Sequence, residues 1–559
     1  MKIANNVKSY SVKILDESIE INGRQFAQTA IVILRDYNHN LIQKQKMGIV
    51  DISLLYNEII ENNSIDLSYC YVKNFSIQKL KQQAGLNELL QLELKDFNAE
   101  NAFFESDKTI DFSGALFTGE STNFKNAHFG IGNLSFQHCQ FHATLTDFSN
   151  TSYSEGDNNF NFSIFSHQKG SLSFENANFL SGTISFVSVH FECEIINFKN
   201  TQFGTSNLNL KFSIFRKGLL SFDKCQFNGE EIDFSKVDFA KIRVDFKRTN
   251  FGSANILFEE CLSEGEKFIF RKCIFLHNQI SFKSSHLNKS DLIFDESQFS
   301  NGNLTFLALV ADKISLSNCM LSVYIDLRVE SCRSVQLNNA ISRDIIDFNI
   351  GVSKVTIQEL SFHGMRNLGQ ILIDWEDNGT QKMIENQQST STAHQKADQY
   401  RILKESFNKL GLYDDEDKAY VQFKRSELTD QKERYLKNKD VLGLIKYGIK
   451  KLVFDNMGLF ATSPIRVFIS TCFVFAFFSL LYFVISLFGG ASLTCTTPDM
   501  EALQQLYESF YFSAVTFLTI GYGECLPQGF FKILAPVEAY FGIFMISYFV
   551  VSFVRKVLR

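Results

Sequence analysis

STNFKNAHFGIG and NLSFQHCQFHAT, residues 121–132 and 133–144, repeat one twelve-residue pattern. Each has a phenylalanine at its fourth position (Phe124, Phe136) and a second five residues later (Phe129, Phe141). Outward from this pair the first series runs Phe112, Phe124, Phe136, Phe148 and Phe160. After a two-residue insertion it resumes at Phe174, Phe186 and Phe198, passes through Leu210, and continues at the same step from Phe222 to Phe306. The second series includes Phe117, Phe129, Phe141, Tyr153, Phe165 and Phe179 and ends at Phe299. A fixed short period marks stacked repeats, each of which buries its apolar face only against its neighbours.

The residues two before each aromatic differ in kind. Ahead of the first series stands a branched aliphatic (Ile110, Leu134, Leu172, Ile184, Ile196, Leu220, Ile232), and the alternation is that of a strand with both side chains on one face. Ahead of the second stands a small residue (Ala115, Ala127, Cys139, Ser163, Ala177, Thr201, Ser213). A twelve-residue coil is too narrow to enclose two phenyl rings and an aliphatic, so two units make one coil of 24 residues. From Phe112 to Phe306 that gives about eight coils and, at roughly 4.8 Å per strand spacing, a stack about 40 Å long. This pattern resembles the pentapeptide-repeat family, which implies a right-handed quadrilateral parallel β-helix over residues 96–375. The 5+7 spacing departs from the family's strict five. Residues 1–95 and the drifting pattern from 310 to 375, with Ile357, Leu360, Phe362 and Ile373, are the expected end caps.

Composition agrees with a ladder-rich solenoid joined to something else. Of 559 residues 59 are Phe and one is Trp, and the four prolines (Pro464, Pro498, Pro527, Pro536) all fall in the last hundred. A long proline-free stretch suits a fold that uses nearly every backbone N–H. A net charge of −6 leaves no excess of Lys and Arg to displace counterions, so no nucleic-acid partner is expected. Residues Met1 to Gln28 lack an apolar run, so no cleavable signal peptide is read and the N-terminal mass is expected in the cytoplasm. The eleven Cys contain no CxxC pair. His138, Cys139 and His142 are read as structural, because Cys139 occupies the small inward position.

From residue 390 to 440 the period becomes 3.6. Tyr400, Leu403, Phe407 and Leu410 share a face, Gly411 gives a stop, and Tyr420, Phe423 and Leu428 mark a second helix, so a hairpin connector is expected. Asp414, Asp415, Glu416 and Asp417 lack the alternate spacing of a calcium loop and are read as a solvated turn at a helix N-terminus. Residues 441–458 pair an apolar stripe (Leu442, Ile445, Ile449, Leu452) with Lys446, Lys450 and Lys451, a helix expected to rest in a membrane interface.

Residues 465–488 and 530–555 are each long and apolar enough to span a hydrocarbon core of about 30 Å. No Lys or Arg lies between Gly489 and Gln528, whereas Lys446, Lys450, Lys451 and Arg466 precede the first span and Arg555, Lys556 and Arg559 follow the second. This asymmetry places both termini in the cytoplasm and the intervening loop outside a cell (inner) membrane.

Within that loop, behind an amphipathic stretch over 500–518, stands Thr519-Ile520-Gly521-Tyr522-Gly523. It resembles the T-V-G-Y-G selectivity filter of potassium channels, with Ile for Val, and residues 440–559 are similar to bacterial two-transmembrane subunits of that family. The resemblance implies a homotetramer in which backbone carbonyls of Thr519, Ile520, Gly521 and Tyr522 replace the water of K⁺, the permeant ion. Carbonyls of L-residues alternate in direction, so glycine is needed where left-handed torsions align them. Ile520 and Tyr522 are expected to point away from the pore and to pack against the pore helix, holding the ring open. Thr516, Glu524 and Glu538 are read as filter support, the last as a brace behind the pore helix with a proton-sensitive gate as its alternative, and Gly542 as the gating hinge. Leu518 departs from the usual Thr or Ser, and Glu524 from the usual Asp. Cys495 and Cys525 flank the pore helix, and an oxidising exterior permits a disulfide between them.

The expectation is therefore a multidomain membrane protein: a cytoplasmic β-helix, a helical connector and an all-α pore module with a re-entrant pore helix. Its expected partners are itself, membrane lipids and a cytoplasmic ligand or protein on the solenoid, with no cofactor. A membrane-anchored interaction protein and a non-selective cation channel are the alternatives. No convergent nucleophile, acid–base pair or metal set points to an enzyme.

Overall fold

A computed structural model describes residues 7–36, 38–349, 356–387, 391–496 and 500–558, in two compact units, Met1–Gln388 and Ser389–Arg559. Residues 1–6 of the expected N-terminal cap, Pro498, and Arg559 of the expected positive flank lie outside the described residues.

The first unit is a parallel β-solenoid with a 24-residue coil. Ile110 pairs with Leu134, Leu116 with Gln140, Thr122 with Thr146 and His128 with Ser152, so four ladders run up four sides and each coil contains two units. The inward rings form stacks. Phe124, Phe148, Phe174 and Phe198 follow one another at 4.7, 4.8 and 4.9 Å with nearly parallel planes, and Phe117, Phe141 and Phe165 at 4.7 and 4.5 Å. Within a coil the rings meet edge to face, as Phe124 does Phe136 at 5.5 Å and 85°. Stacking and edge contacts together let a cross-section fill with rings in favourable geometry. Burying each ring contributes about 1.5–3 kcal/mol against the cost of ordering the backbone.

The corner explains the small residue. Ala127 N–H donates to Phe124 O at 3.0 Å, closing a turn in which Asn126 has φ +57°. The same left-handed position recurs at His138, Asn150, Phe162, Asn176, Ser188 and Asn200. Next to it the small side chain is buried, and at several corners its donor bonds the preceding coil, whereas Thr151 Oγ1 donates to Phe148 O of its own turn. Ser163 Oγ donates to Phe136 O at 2.6 Å, Thr201 Oγ1 to Phe174 O at 2.8 Å and Thr249 Oγ1 to Phe222 O at 2.6 Å. Cys139 Sγ lies 3.0 Å from Phe112 O and Cys225 Sγ 2.9 Å from Phe198 O in the same role. Burial pushes the Cys139 thiol well up, His138 stacks on Phe162 at 5.0 Å, and His142 is exposed, a structural arrangement for all three.

The coils run further than the phenylalanine register. Upstream, Cys70–Lys73 and Leu92–Asn98 already lie in parallel ladders. Downstream, Val310 pairs with Ser331 and Met320 with Ile341, a 21-residue step, and parallel pairing continues to Gln370–Leu372. Buried Leu316, Leu327 and Leu337 replace the rings there, so the stretch expected to cap is itself coil. Capping proper is done by an antiparallel meander, Ser9–Leu15, Thr29–Arg35 and Leu41–Ile49, at one end. At the other, the helix Thr380–Glu385 follows Asn378, which donates to Phe348 O at 2.8 Å, and precedes Asn386, which donates to Gln358 O at 3.0 Å.

The second unit is helical. Helix α1 (Ala393–Leu410) opens with a capping box between Thr392 and Gln395 and stops at Gly411, φ +72°. With α2 (Tyr413–Lys437) it makes the hairpin. Helix α3 (Val441–Lys450), capped by Asp440, leaves Val441, Leu442, Ile445 and Ile449 exposed along one face.

Candidate functional site

Among the described residues two helices are long and apolar enough to cross a membrane, α4 (Pro464–Leu487) and α6 (Phe531–Val557). At about 1.5 Å per residue α4 is roughly 36 Å long. Ser463 caps it, Pro464 takes the first position where its missing N–H costs nothing, and Gly489, φ +70°, follows its end. Between the two lies α5 (Ala502–Phe517), whose buried Ser509, Phe512, Ser513 and Phe517 form its packed face. Phe512 meets Tyr482 of α4 edge-on at 5.0 Å, and Tyr482 meets Phe531 of α6 at 4.9 Å. The Ser513 hydroxyl donates to Glu538, which is fully buried on α6 behind α5.

Gly542 lies where α6 crosses the end of α5. A Cβ there would overlap the carbonyl oxygen of Phe517 and crowd its carbonyl carbon and Cα. The absence of a side chain is thus what lets α6 approach the base of the filter strand, a packing function in addition to any bending.

Past Phe517 the chain turns back. Thr519 N–H donates to Thr516 O at 3.1 Å and Ile520 N–H to Val515 O at 2.9 Å, using carbonyls that the end of α5 would leave unpaired. Thr519, Gly521 and Gly523 have φ of +53°, +72° and +82°, whereas Ile520 and Tyr522 do not enter the left-handed region. Such alternation turns successive carbonyls of a short strand toward one side, which a run of uniform L-torsions does not do. Thr519 is the unexpected member, a non-glycine residue held left-handed; its hydroxyl donates to Leu518 O at 2.7 Å. Ile520 and Tyr522 are 46% and 72% exposed on the single chain, so neither is buried against α5 as expected. Beside the strand is a hollow of about 540 Å³ lined by Thr519, Gly521 and Gly523 and by Phe512, Lys532 and Pro536.

The outer end is stapled. Cys495 and Cys525 form a disulfide, with Cα atoms 5.2 Å apart, that encloses α5 and the filter strand. Leu493 bridges Pro527 next to it, and Tyr511 Oη lies 3.5 Å from Glu524 Oε2. Glu508 is near the two sulfurs, but thiols joined to each other do not ligate a metal.

The acidic cluster opens α2 as expected and leaves Asp414 exposed, but it is not a solvated turn throughout. Glu416 and Asp417 are buried, and Asp417 pairs with Arg555 of α6 at 2.8 Å while Asp414 pairs with Lys556 at 2.6 Å. The Lys556 ammonium beside Asp414 holds that carboxyl below its usual range. Arg555 also lies over the Tyr420 ring at 4.3 Å, and Arg425 bonds Asp455 at 2.9 Å. No spacing rule joins residues 138 apart, so composition alone read these acids as surface.

Residues 459–559, which include both long helices, α5 and the filter strand, match the family model described as Ion channel. Ahead of this ion-channel module the solenoid, with its four-sided coils and ring stacks, fits a pentapeptide-repeat domain. No curated protein and no solved structure matches the chain.

Proposed function

We propose that this chain is one of four identical subunits of a potassium-selective channel of a cell membrane, with both termini cytoplasmic and the solenoid a scaffold or gating module. The observation that carries the reading is the alternation of left-handed torsions at Thr519, Gly521 and Gly523, in a loop that re-enters between two membrane-length helices. One chain supplies one wall, and four walls about an axis replace the hydration shell of K⁺ with carbonyls of Thr519, Ile520, Gly521 and Tyr522. The exposed flank of the strand, Tyr522 above all, is covered by the neighbouring subunit. Ser513–Glu538 braces α5 against α6, Tyr511–Glu524 supports the outer mouth, and α5 directs its negative C-terminal end at the cation. The uncovered apolar face of α3 and its lysines rest on the lipid surface.

The test is reconstitution of the full chain in liposomes with reversal potentials measured in mixed potassium and sodium. Selective potassium flux, abolished by Gly521→Asp and by Tyr522→Asp, is expected. A reversal potential that ignores the potassium gradient makes the pore non-selective, and no flux makes the module a membrane anchor for the solenoid.

A further inference from the structure

The lower end of α6 is tied down at three places, all on other elements. Tyr548 Oη accepts from Ala461 N–H at 3.2 Å, in the elbow that leads into α4, and donates to Phe454 O at 3.3 Å, in the segment ahead of it. Arg555 pairs with Asp417 at 2.8 Å and covers the Tyr420 ring at 4.3 Å; Lys556 pairs with Asp414 at 2.6 Å. The Arg555–Asp417 pair is mostly withdrawn from solvent, with 20% and 10% of the two side chains exposed, so it is screened less than a surface pair. Arg425–Asp455 at 2.9 Å binds the same helix α2 to the segment ahead of the elbow.

The elbow itself is strained. Leu459, Phe460 and Ala461 have φ of +47°, +56° and +65°, three successive non-glycine residues in the left-handed region. L-residues take that conformation singly and at a cost, so a run of three persists only where surrounding contacts impose it. Tyr548 supplies such a contact from α6, at Ala461. An element held strained by contacts from the helix it neighbours has a relaxed alternative, which is the requirement for a two-state switch.

Resting on the channel reading above, we propose that Asp417, Tyr420 and Arg555, with Asp414–Lys556, form a latch through which the α1–α2 hairpin sets the open probability of the pore. The elbow precedes α4, the outer helix of a fourfold pore, so ties from α6 to the elbow and to α2 draw the lower end of α6 away from the axis. The latched form is the conducting one. Release lets the elbow relax and the lower ends of α6 close on the axis. The hairpin is joined directly in sequence to the solenoid, so a force or ligand acting there has a defined point at which to act on the pore.

Single-channel recording of the full chain in planar bilayers tests this. Asp417→Asn and Arg555→Gln each lower open probability about tenfold, within the range of coupling between sites, and leave conductance and selectivity unchanged. Combined, they lower it by less than the product of the two separate losses, since the charge pair is common to both. The exchange Asp417→Arg with Arg555→Asp recovers most of the loss. Arg555→Lys keeps the charge and loses the planar stack on Tyr420; it lowers open probability about threefold and serves where neutral variants do not fold. Wild-type open probability in Arg555→Lys and in whichever neutral variants conduct, or additive losses in the double variant, overturns the latch while leaving the channel reading intact. No potassium current from the unmodified chain overturns both.

Discussion

Substituting Gly542 by alanine tests how α6 meets the filter. The added methyl falls on the carbonyl oxygen of Phe517 and close to two more backbone atoms of that residue, so no side chain is available to swing aside. Either α6 moves outward or the end of α5 shifts, two residues before Thr519. Overpacking against backbone falls in the upper part of its usual range, about 2–3 kcal/mol, and the better helix propensity of alanine returns about 1 kcal/mol. A net loss of about 1–2 kcal/mol lowers the melting temperature of a unit this size by about 3–6 °C. Gly448 on α3 is the control, because a Cβ there meets nothing within 4 Å. Gly448→Ala gains the helix propensity without the clash and raises the transition by about 2–4 °C. Thermal unfolding of the purified protein in detergent, with reversal potentials on the same preparations, measures both. The close-packing argument is refuted if Gly542→Ala melts at or above the wild-type temperature, or if the two substitutions move the transition in the same direction. A purely flexural role for Gly542 gives that refuting result, with open probability changed and stability not.

Two predictions concern the solenoid. Thr201→Val keeps the shape and removes the donor to Phe174 O, a carbonyl that still accepts from Ala177 N–H, so the loss is at the modest end, about 0.5–1.5 kcal/mol, read as a lower denaturant midpoint with unchanged slope. His128, fully buried beside Ser152, has its pKa pushed down by burial to about 4 from the usual 6.5. Between those values the unfolded chain binds a proton that the folded chain does not, so stability falls as pH drops, by about 2 kcal/mol from pH 7 to pH 5. His128→Phe removes that part of the slope; an identical pH profile in the variant would show that the imidazole is protonated in the folded protein.

Much of the solenoid and of the strand at 519–523 is legible in the linear chain because both are nearest-neighbour structures. A coil contacts the coil 24 residues away, so the phenylalanine period, the branched aliphatic ahead of it and the small corner residue follow from one steric rule repeated. The corner's left-handed residue was less visible. Asn marks it at 126, 150, 176 and 200, but Phe162, Phe212 and Arg248 occupy the same site, so no single residue type signals it. The hydrogen bonds from Ser163 and Thr201 were hidden for a different reason. Smallness accounts for the residue type, and only the stack shows that the hydroxyl reaches a carbonyl 27 residues back. Past residue 310 the ring register fades while the ladder persists, since leucine and isoleucine fill the coil as well as phenylalanine fills it.

By itself the sequence determined the coil length, the two membrane-length helices and the place of the glycine-containing strand at 519–523 between them, all of them set by short-range torsion and burial rules that act within a few dozen residues. Only the tertiary structure decided that Asp417 faces Arg555, that Gly542 lies against Phe517 and that the elbow at 459–461 is held left-handed beside Tyr548. Those contacts join segments that no period relates. Their partners are selected by how separately formed helices dock, and a charge or a glycine has the same local signature whether or not anything packs against it.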